Sequence, residues 1–359
     1  MRRALVILGV MLAAAAGPRA QEDSGTVIKQ DVRVVHVLAS VKDKNGRPVA
    51  GLTAGDFILQ EDGRPQKITH FSRSDSLPLS LGLLIDTSRS QRRLIEQEKT
   101  ASRQFFEQVL RPDTDQACLL RFDFEAALMK NLTRSVQELE AALQRVRLAE
   151  ERLHLPPDSG GTVLYDAVYL AAGEVLATPA GQKAMVVISD GVDFGSMVTL
   201  ADAVSTAQRA ETAVYCIRYA DPEAYQRRDS GGHGGGRGTG GVSIGIPFPI
   251  PIPGGPTGGP TGRPGGSPGG KPGQAPADGK LVLQQLAEET GGAAFDISDG
   301  KDLEAIYRQI GEELRNQYVI GYTPETESAG GDFRQIRLEA KQKGLTVRCR
   351  AGYYPRKNN

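Results

Sequence analysis

The stretch of this 359-residue sequence richest in chemical groups is Leu83-Leu84-Ile85-Asp86-Thr87-Ser88-Arg89-Ser90. An apolar strand that ends in D-x-S-x-S delivers one carboxylate and two hydroxyls to the loop at its C-terminal end, the edge where open parallel sheets bind ligands. Gly160-Gly161-Thr162 ahead of a helix adds a third hydroxyl, and Ser189-Asp190-Gly191 after the next central strand adds a second carboxylate. Asp86, Ser88, Ser90, Thr162 and Asp190 are therefore expected to converge at one sheet edge. Other motif strings lack the elements their chemistry needs. Gly241-Val242-Ser243-Ile244-Gly245 has the letters of a nucleophile elbow and His233-Gly234-Gly235-Gly236 those of an oxyanion loop, but alternating prolines after the serine forbid the helix an elbow requires. Gly265 to Lys271 spells a phosphate loop, yet Pro272 stands where a hydroxyl should hold Mg2+ and no strand precedes it. His36, His70, His154 and His233 are scattered without zinc-ligand spacing.

With the strand before it and the threonine and second aspartate in order after it, the D-x-S-x-S segment resembles the metal-ion-dependent adhesion site of a von Willebrand factor type A (VWA) domain. The resemblance spans roughly Leu79 to Gln317. The flanking strings D-K-N-G-R-P-V, G-D-F and E-D-G before it, and Q-Y-V-I-G-Y and R-A-G-Y-Y after it, look like bacterial exported proteins carrying a VWFA-related domain. The resemblance implies that Ser88, Ser90 and Thr162 touch a divalent cation directly and that Asp86 and Asp190 act directly or through water. Mg2+ suits such a set, with Mn2+ or Ca2+ as alternatives, because it takes six oxygens at about 2.1 Å and retains water. Neutral hydroxyls offset little of the +2 charge, so an open coordination position is expected to attract an Asp or Glu carboxylate from a protein partner. Arg89 stands where relatives often have Gly, and a guanidinium there either repels the cation or helps hold the incoming acid. Asp166 reads as a helix-dipole acid and Asp193 as a loop acid. Two rival functions stay open: a structural envelope component with a vestigial metal site, and a metal-dependent hydrolase, which lacks an evident general base.

These groups need an α/β frame. Leu81 to Ile85 and Ala184 to Ser189 are continuous apolar runs suited to central parallel strands. Further strands are expected at Ala117 to Phe124, Ala213 to Tyr219 and, at an edge, Ala293 to Ile297. Helical spacing marks Arg92 to Leu110, Ser135 to Leu148, Thr162 to Leu176, Leu200 to Ala210, Leu281 to Glu289 and Leu303 to Leu314. Alternation of this kind predicts a doubly wound, mostly parallel sheet, Rossmann-like in layout, over residues 79–317. Residues 30–76 and 318–356 are strand-like, with hairpins expected around Asn45-Gly46 and, through the turn Asp62-Gly63, between Phe57-Ile58-Leu59 and Ile68 to Phe71. Each flank is short for an independent core, so a shared β-sandwich interrupted by the α/β domain is favoured over two separate modules.

Between Gly231 and Gly279 lie 20 Gly and 10 Pro. The insertion 227–279 buries too little apolar surface to offset its ordering entropy and is expected to be disordered. Its Ile246 to Pro253 run suits a polyproline II docking segment or a plain flexible insertion. Residues 1–20, with Arg2 and Arg3 ahead of the 13-residue apolar run Ala4 to Ala16, read as a signal peptide for periplasmic or cell-surface export, a membrane anchor being the alternative. No stable membrane span remains after cleavage. The mature chain then carries 40 Lys and Arg against 43 Asp and Glu, which offers nucleic acid no electrostatic footprint. Cys118, Cys216 and Cys349 sit in apolar strand-like runs and read as buried thiols. The strand order of the resembled family sets the first two about 14 Å apart, at ~4.8 Å per strand, too far for a disulfide.

Overall fold

A computed structural model describes residues 34–154, 161–219, 278–297, 302–325 and 331–355. The proposed signal peptide, Gly160 and the Gly/Pro insertion up to residue 277 lie outside the described residues.

The central sheet follows from its apolar runs. β5 (Leu79–Asp86) and β8 (Gln182–Ser189) are buried along their whole length, and they pair in parallel with each other. β6 (Gln116–Phe122), β9 (Thr212–Arg218) and the edge strand β10 (Ala294–Asp296) extend the parallel set. β7 (Ala126–Thr133) closes the other edge antiparallel to β6, giving the order β10-β9-β8-β5-β6-β7. Side chains of β5 alternate between two cores: Leu79, Leu81, Leu83 and Ile85 face one, Leu84 the other. The first is covered by α1 (Ile95–Val109), α2 (Val136–Gln144) and α7 (Leu303–Arg315). The second is covered by α4 (Leu164–Leu170), α5 (Leu200–Arg209) and α6 (Gly279–Thr290). A strand buried on both faces has no polar phase, which is why Leu81 to Ile85 in β5 and Ala184 to Ser189 in β8 read as near-continuous apolar runs.

The flanks make two four-stranded antiparallel sheets. One has the order β13-β1-β11-β4, from β13 (Thr346–Arg348), β1 (Val35–Lys42), β11 (Tyr318–Tyr322) and β4 (Ile68–Arg73). The other is β14-β12-β2-β3, from β14 (Gly352–Tyr353), β12 (Arg334–Ala340), β2 (Phe57–Glu61) and β3 (Arg64–Pro65). Val37, Ala39, Phe57, Leu59, Ile320 and Leu338 meet in the core between them. Each sheet thus mixes strands from before and after the α/β region. Polar contacts join the two parts: Glu313 of α7, 2% exposed, pairs with Lys42 of β1 and Arg348 of β13.

Three sequence expectations are corrected. β2 does not return on Ile68 to Phe71: the Asp62-Gly63 turn, both residues at positive φ, leads into β3 for two residues, and β4 crosses to the other sheet to pair with β11. The pairing with β2 ends at Gln66, whose amide donates to Leu59 O at 2.8 Å, and alternation identifies a strand without naming its partner. β7, half-exposed along its length, has no corresponding strand in the sequence reading because A-A-L-M-K-N-L-T alternates poorly. The helix expected from Ser135 to Leu148 ends at Gln144, and the short α3 (Ala149–Leu153) follows separately. Among the described residues, no helix is long and apolar enough to cross a membrane. Cys118 and Cys216 are buried free thiols on β6 and β9, with β5 and β8 between them, and Cys349 is a free thiol with partial exposure.

Candidate metal centre

Parallel strands bring their C-terminal ends to one edge, so β5 and β8 deliver Asp86 and the Ser189-Asp190 pair side by side. Asp86 is fully buried and Asp190 is 5% exposed. Asp86 accepts from the Ser88 amide at 2.9 Å and the Ser189 hydroxyl at 2.7 Å, so the donors that hold it are neutral. The hydroxyls of Ser88 and Ser90 lie 3.0 Å apart. Asp190 accepts the amide of Val192 at 3.0 Å. Asp86, Ser88, Ser90 and Asp190 are thus gathered in one place.

Thr162 reaches the same edge by its backbone. Its amide donates to Phe194 O at 3.1 Å and its carbonyl accepts from Phe194 N at 2.8 Å, while Val163 N donates to Asp123 O at 2.8 Å. Thr162 is therefore strapped between the loops that leave β8 and β6, which flank β5. It is 9% exposed.

The electrostatics of this edge call for a cation. Burial first, and the charge of Asp190 second, raise the pKa of Asp86 to about 7 against the opposing hydrogen bonds from Ser88 and Ser189. Two nearby buried carboxylates with neutral donors cannot both ionise without cost. Among the described residues no three His, Cys, Asp or Glu side chains form a group able to hold a metal, so a cation bound here requires the hydroxyls as well. A mixed set of hydroxyl and carboxylate oxygens is the donor chemistry of a hard divalent ion that keeps some of its water. The residues fit such an ion.

Supports absent from the sequence reading hold the site. Thr87, on the loop after β5, donates to Asp123 at 2.6 Å, and Asp123 is also held by Arg121 at 3.0 Å and Arg152 at 2.9 Å. Ser189, quoted in the S-D-G string but given no role there, anchors Asp86 and accepts the Gly191 amide at 3.0 Å. Glu98 of α1 is fully buried and its carboxyl oxygens have no hydrogen-bond partner. Burial, followed by the field of Asp86, pushes its pKa well upward. Its position in a charged-looking helix, I-E-Q-E-K-T, gave no sign of burial. Asp166 and Asp193 do more than their sequence reading implied. Asp166 accepts the amides of Met197 and Val198 at 2.9 and 3.0 Å, and Asp193 accepts the Tyr165 amide at 3.1 Å and the Ser196 hydroxyl at 2.6 Å.

Gly191 sets the position of Asp190. Its φ is +84°, and a Cβ there would stand 2.1 Å from the carbonyl oxygen of Gly279 at the start of α6. Gly191→Ala is expected to destabilise the fold by at least ~1 kcal/mol, because both φ and contact oppose it, and to weaken divalent-cation binding by shifting Asp190. Urea unfolding and calorimetric titration with Mg2+ measure the two effects.

A cavity of about 300 Å³, lined among others by Gly181, Thr212, Gln317 and Arg350, lies at the opposite, N-terminal edge of the sheet and shares no residue with this site.

The sequence model of the von Willebrand factor type A domain matches residues 81–192, and this part of the chain has the VWA fold. The chain is similar to several solved structures at low identity. An aerotolerance-related membrane protein from Bacteroides fragilis NCTC 9343 is 16% identical, with 67% of this chain and 98% of that one covered at a TM-score of 0.40. BatB from Bacteroides thetaiotaomicron gives 16%, 67%, 97% and 0.40. Proximal thread matrix protein 1 from the mussel byssus, in a structure with a zinc-occupied MIDAS motif, gives 15% identity and a TM-score of 0.44 over 72% of this chain and 50% of that one. No curated protein matches the chain.

Proposed function

We propose that this protein is an exported binding module that captures an acidic side chain of a protein partner through a divalent cation held by Asp86, Ser88, Ser90, Thr162 and Asp190. The reading is carried by one observation: Asp86, buried and anchored only by neutral donors, lies at one sheet edge with buried Asp190 and a pair of serine hydroxyls. A divalent ion, most simply Mg2+, supplies the positive charge this arrangement lacks and a coordination position for a ligand. The protein's own residues do the rest. Ser189 and the Ser88 amide orient Asp86, Asp123 fixes the loop through Thr87, and the Thr162–Phe194 pairing sets the third hydroxyl. No bond is made or broken in such capture. The VWA domain supports a non-enzymatic interaction module, and the N-terminal sequence supports export.

The test is a pull-down from envelope extract with the intact mature chain in Mg2+, repeated in EDTA and with Ser88→Ala. Metal-dependent capture lost in both controls is the expected result, and identical capture in all three sinks the proposal. A pH signature accompanies it. Asp86 titrates upward of its usual range, to about 7, so below that pH the ion must displace a proton and its apparent affinity falls by up to about tenfold per unit. Mg2+ should therefore raise the melting temperature more at pH 8 than at pH 5, as read by differential scanning calorimetry.

A further inference from the structure

Three large apolar side chains stand in water on the two loops that hold Thr162. Phe194 is 69% exposed, Met197 86% and Phe124 38%. Isolated exposed apolar residues are ordinary, but these three come from the two loops that leave β6 and β8, on either side of β5. Phe194 is paired through both its backbone groups with Thr162. Phe124 follows Asp123, whose carbonyl accepts the Val163 amide, and its ring lies against Gly161, where an added Cβ would be 2.3 Å from Cδ1. The two phenylalanines thus flank the threonine of the candidate metal centre.

The loop bearing Phe194 and Met197 is also prevented from hiding them. Asp166 takes the Met197 and Val198 amides, and Asp193 and the Ser196 hydroxyl take the Tyr165 amide at 3.1 Å each. Full burial of a Phe or Met side chain contributes about 1.5–3 kcal/mol, so a loop clasped in this way forgoes a gain that a slack loop would collapse to collect. Ordered aromatic groups beside a polar centre are the usual anchors of a binding surface, since little entropy is lost when they are covered.

We infer that Phe124, Phe194 and Met197 form the apolar half of the partner-binding face, and that the partner is a segment in which the captured acidic residue is followed or preceded by a large apolar one. This rests on the proposed metal-dependent capture and adds to it the neighbour that the acid must have. The occupant follows from continuity: the apolar rim begins at Thr162, so whatever places a carboxylate at the cation lays its adjoining side chain on the phenylalanines.

The experiment uses fluorescence polarisation in Mg2+ with synthetic Gly/Ser peptides carrying one Asp flanked by Phe, Leu or Ser, with Asn in place of Asp as control. Wild type, Phe124→Ser/Met197→Ser and Asp86→Asn are compared, each with its melting temperature and Mg2+ affinity recorded. Wild type should prefer Phe- or Leu-flanked Asp over Ser-flanked Asp by about tenfold, equal to about 1.4 kcal/mol. The double variant should lose that preference while keeping its fold, its Mg2+ affinity and its binding of Ser-flanked Asp. Equal affinity for all flanks in the wild type, or a preference that survives in the double variant, overturns the apolar rim and leaves metal-dependent capture standing. An apolar preference that persists in EDTA and in Asp86→Asn sinks the metal reading and leaves the rim. Failure of every peptide to bind overturns both. Self-association of the wild type, abolished in the double variant and without discrimination among peptides, overturns the inference by assigning this face to a second copy of the chain.

Discussion

Asp86→Asn is expected to reduce Mg2+ affinity by at least about a hundredfold while raising the melting temperature of the metal-free protein at pH 8. The two effects have one cause. Asp86 is the fully buried member of a carboxylate pair and is raised from an ordinary value of 3.8 to about 7, first by burial and then by Asp190. A group whose folded pKa exceeds its unfolded value takes stability away as pH rises between the two values. In the metal-free protein that loss runs from about pH 4 to about pH 7 and is complete above it. Asparagine has the same shape, still accepts the Ser88 amide, and meets the Ser189 hydroxyl with its own amide, but it carries no charge either to repel Asp190 or to attract a cation. Calorimetric titration at pH 8 and thermal melts at pH 5 and pH 8 read both halves. A merely structural role for Asp86 predicts the opposite melt, a loss of stability with metal binding reduced only in proportion. Unchanged Mg2+ affinity sinks the assignment.

Asp115→Ala is expected to cost about 3–5 kcal/mol of stability, as breaking a buried ion pair from one side does. Its carboxylate is fully buried at the start of β6 and accepts the Leu79 amide at 2.9 Å, the Arg111 amide at 2.8 Å and the Arg111 guanidinium at 3.0 and 3.1 Å. Arg315, at the end of α7, pairs with it as well. One side chain therefore joins the start of β5, the turn after α1 and the end of α7, at the sheet edge away from the metal centre. Burial alone would raise its pKa, but the hydrogen bonds from Arg111 and Leu79 and the charge of Arg315 outweigh it and lower the value to about 2. The sign follows: the stabilisation is whole above about pH 4 and disappears as pH falls toward 2, a contribution of about 2.5 kcal/mol at ~1.36 kcal/mol per unit. Urea unfolding at pH 7 and pH 3 tests it. The variant should be much weaker than wild type at pH 7, and the gap should narrow at pH 3. A constant gap shows that the charge is not what matters.

Much of the α/β frame was legible because buried parallel strands leave a simple trace. Leu81 to Ile85 and Ala184 to Ser189 are near-continuous apolar runs, and the helices between them repeat at 3.6 residues. The D-x-S-x-S order at the end of the first strand, with Thr162 and Asp190 placed after it, was enough to nominate the site. β7 escaped because a half-exposed edge strand is held by its neighbour's ladder more than by its own pattern. The β2–β4 hairpin was misassigned because nothing local says that Ile68 leaves β2 to pair in the other sheet.

Sequence alone, then, nominated the residues that carry oxygen donors, marked most of the strands and helices of the α/β region, and pointed to a VWA-type site to be looked for. Tertiary structure decided what those residues experience. Ser189 and Asp86, 103 residues apart, share a 2.7 Å hydrogen bond, Glu98 turns inward without a partner, and Phe194 is held out in water beside Thr162. Charge, burial and exposure at a site are set by the groups that surround it in space. Those neighbours come from segments whose separation along the chain no local pattern records.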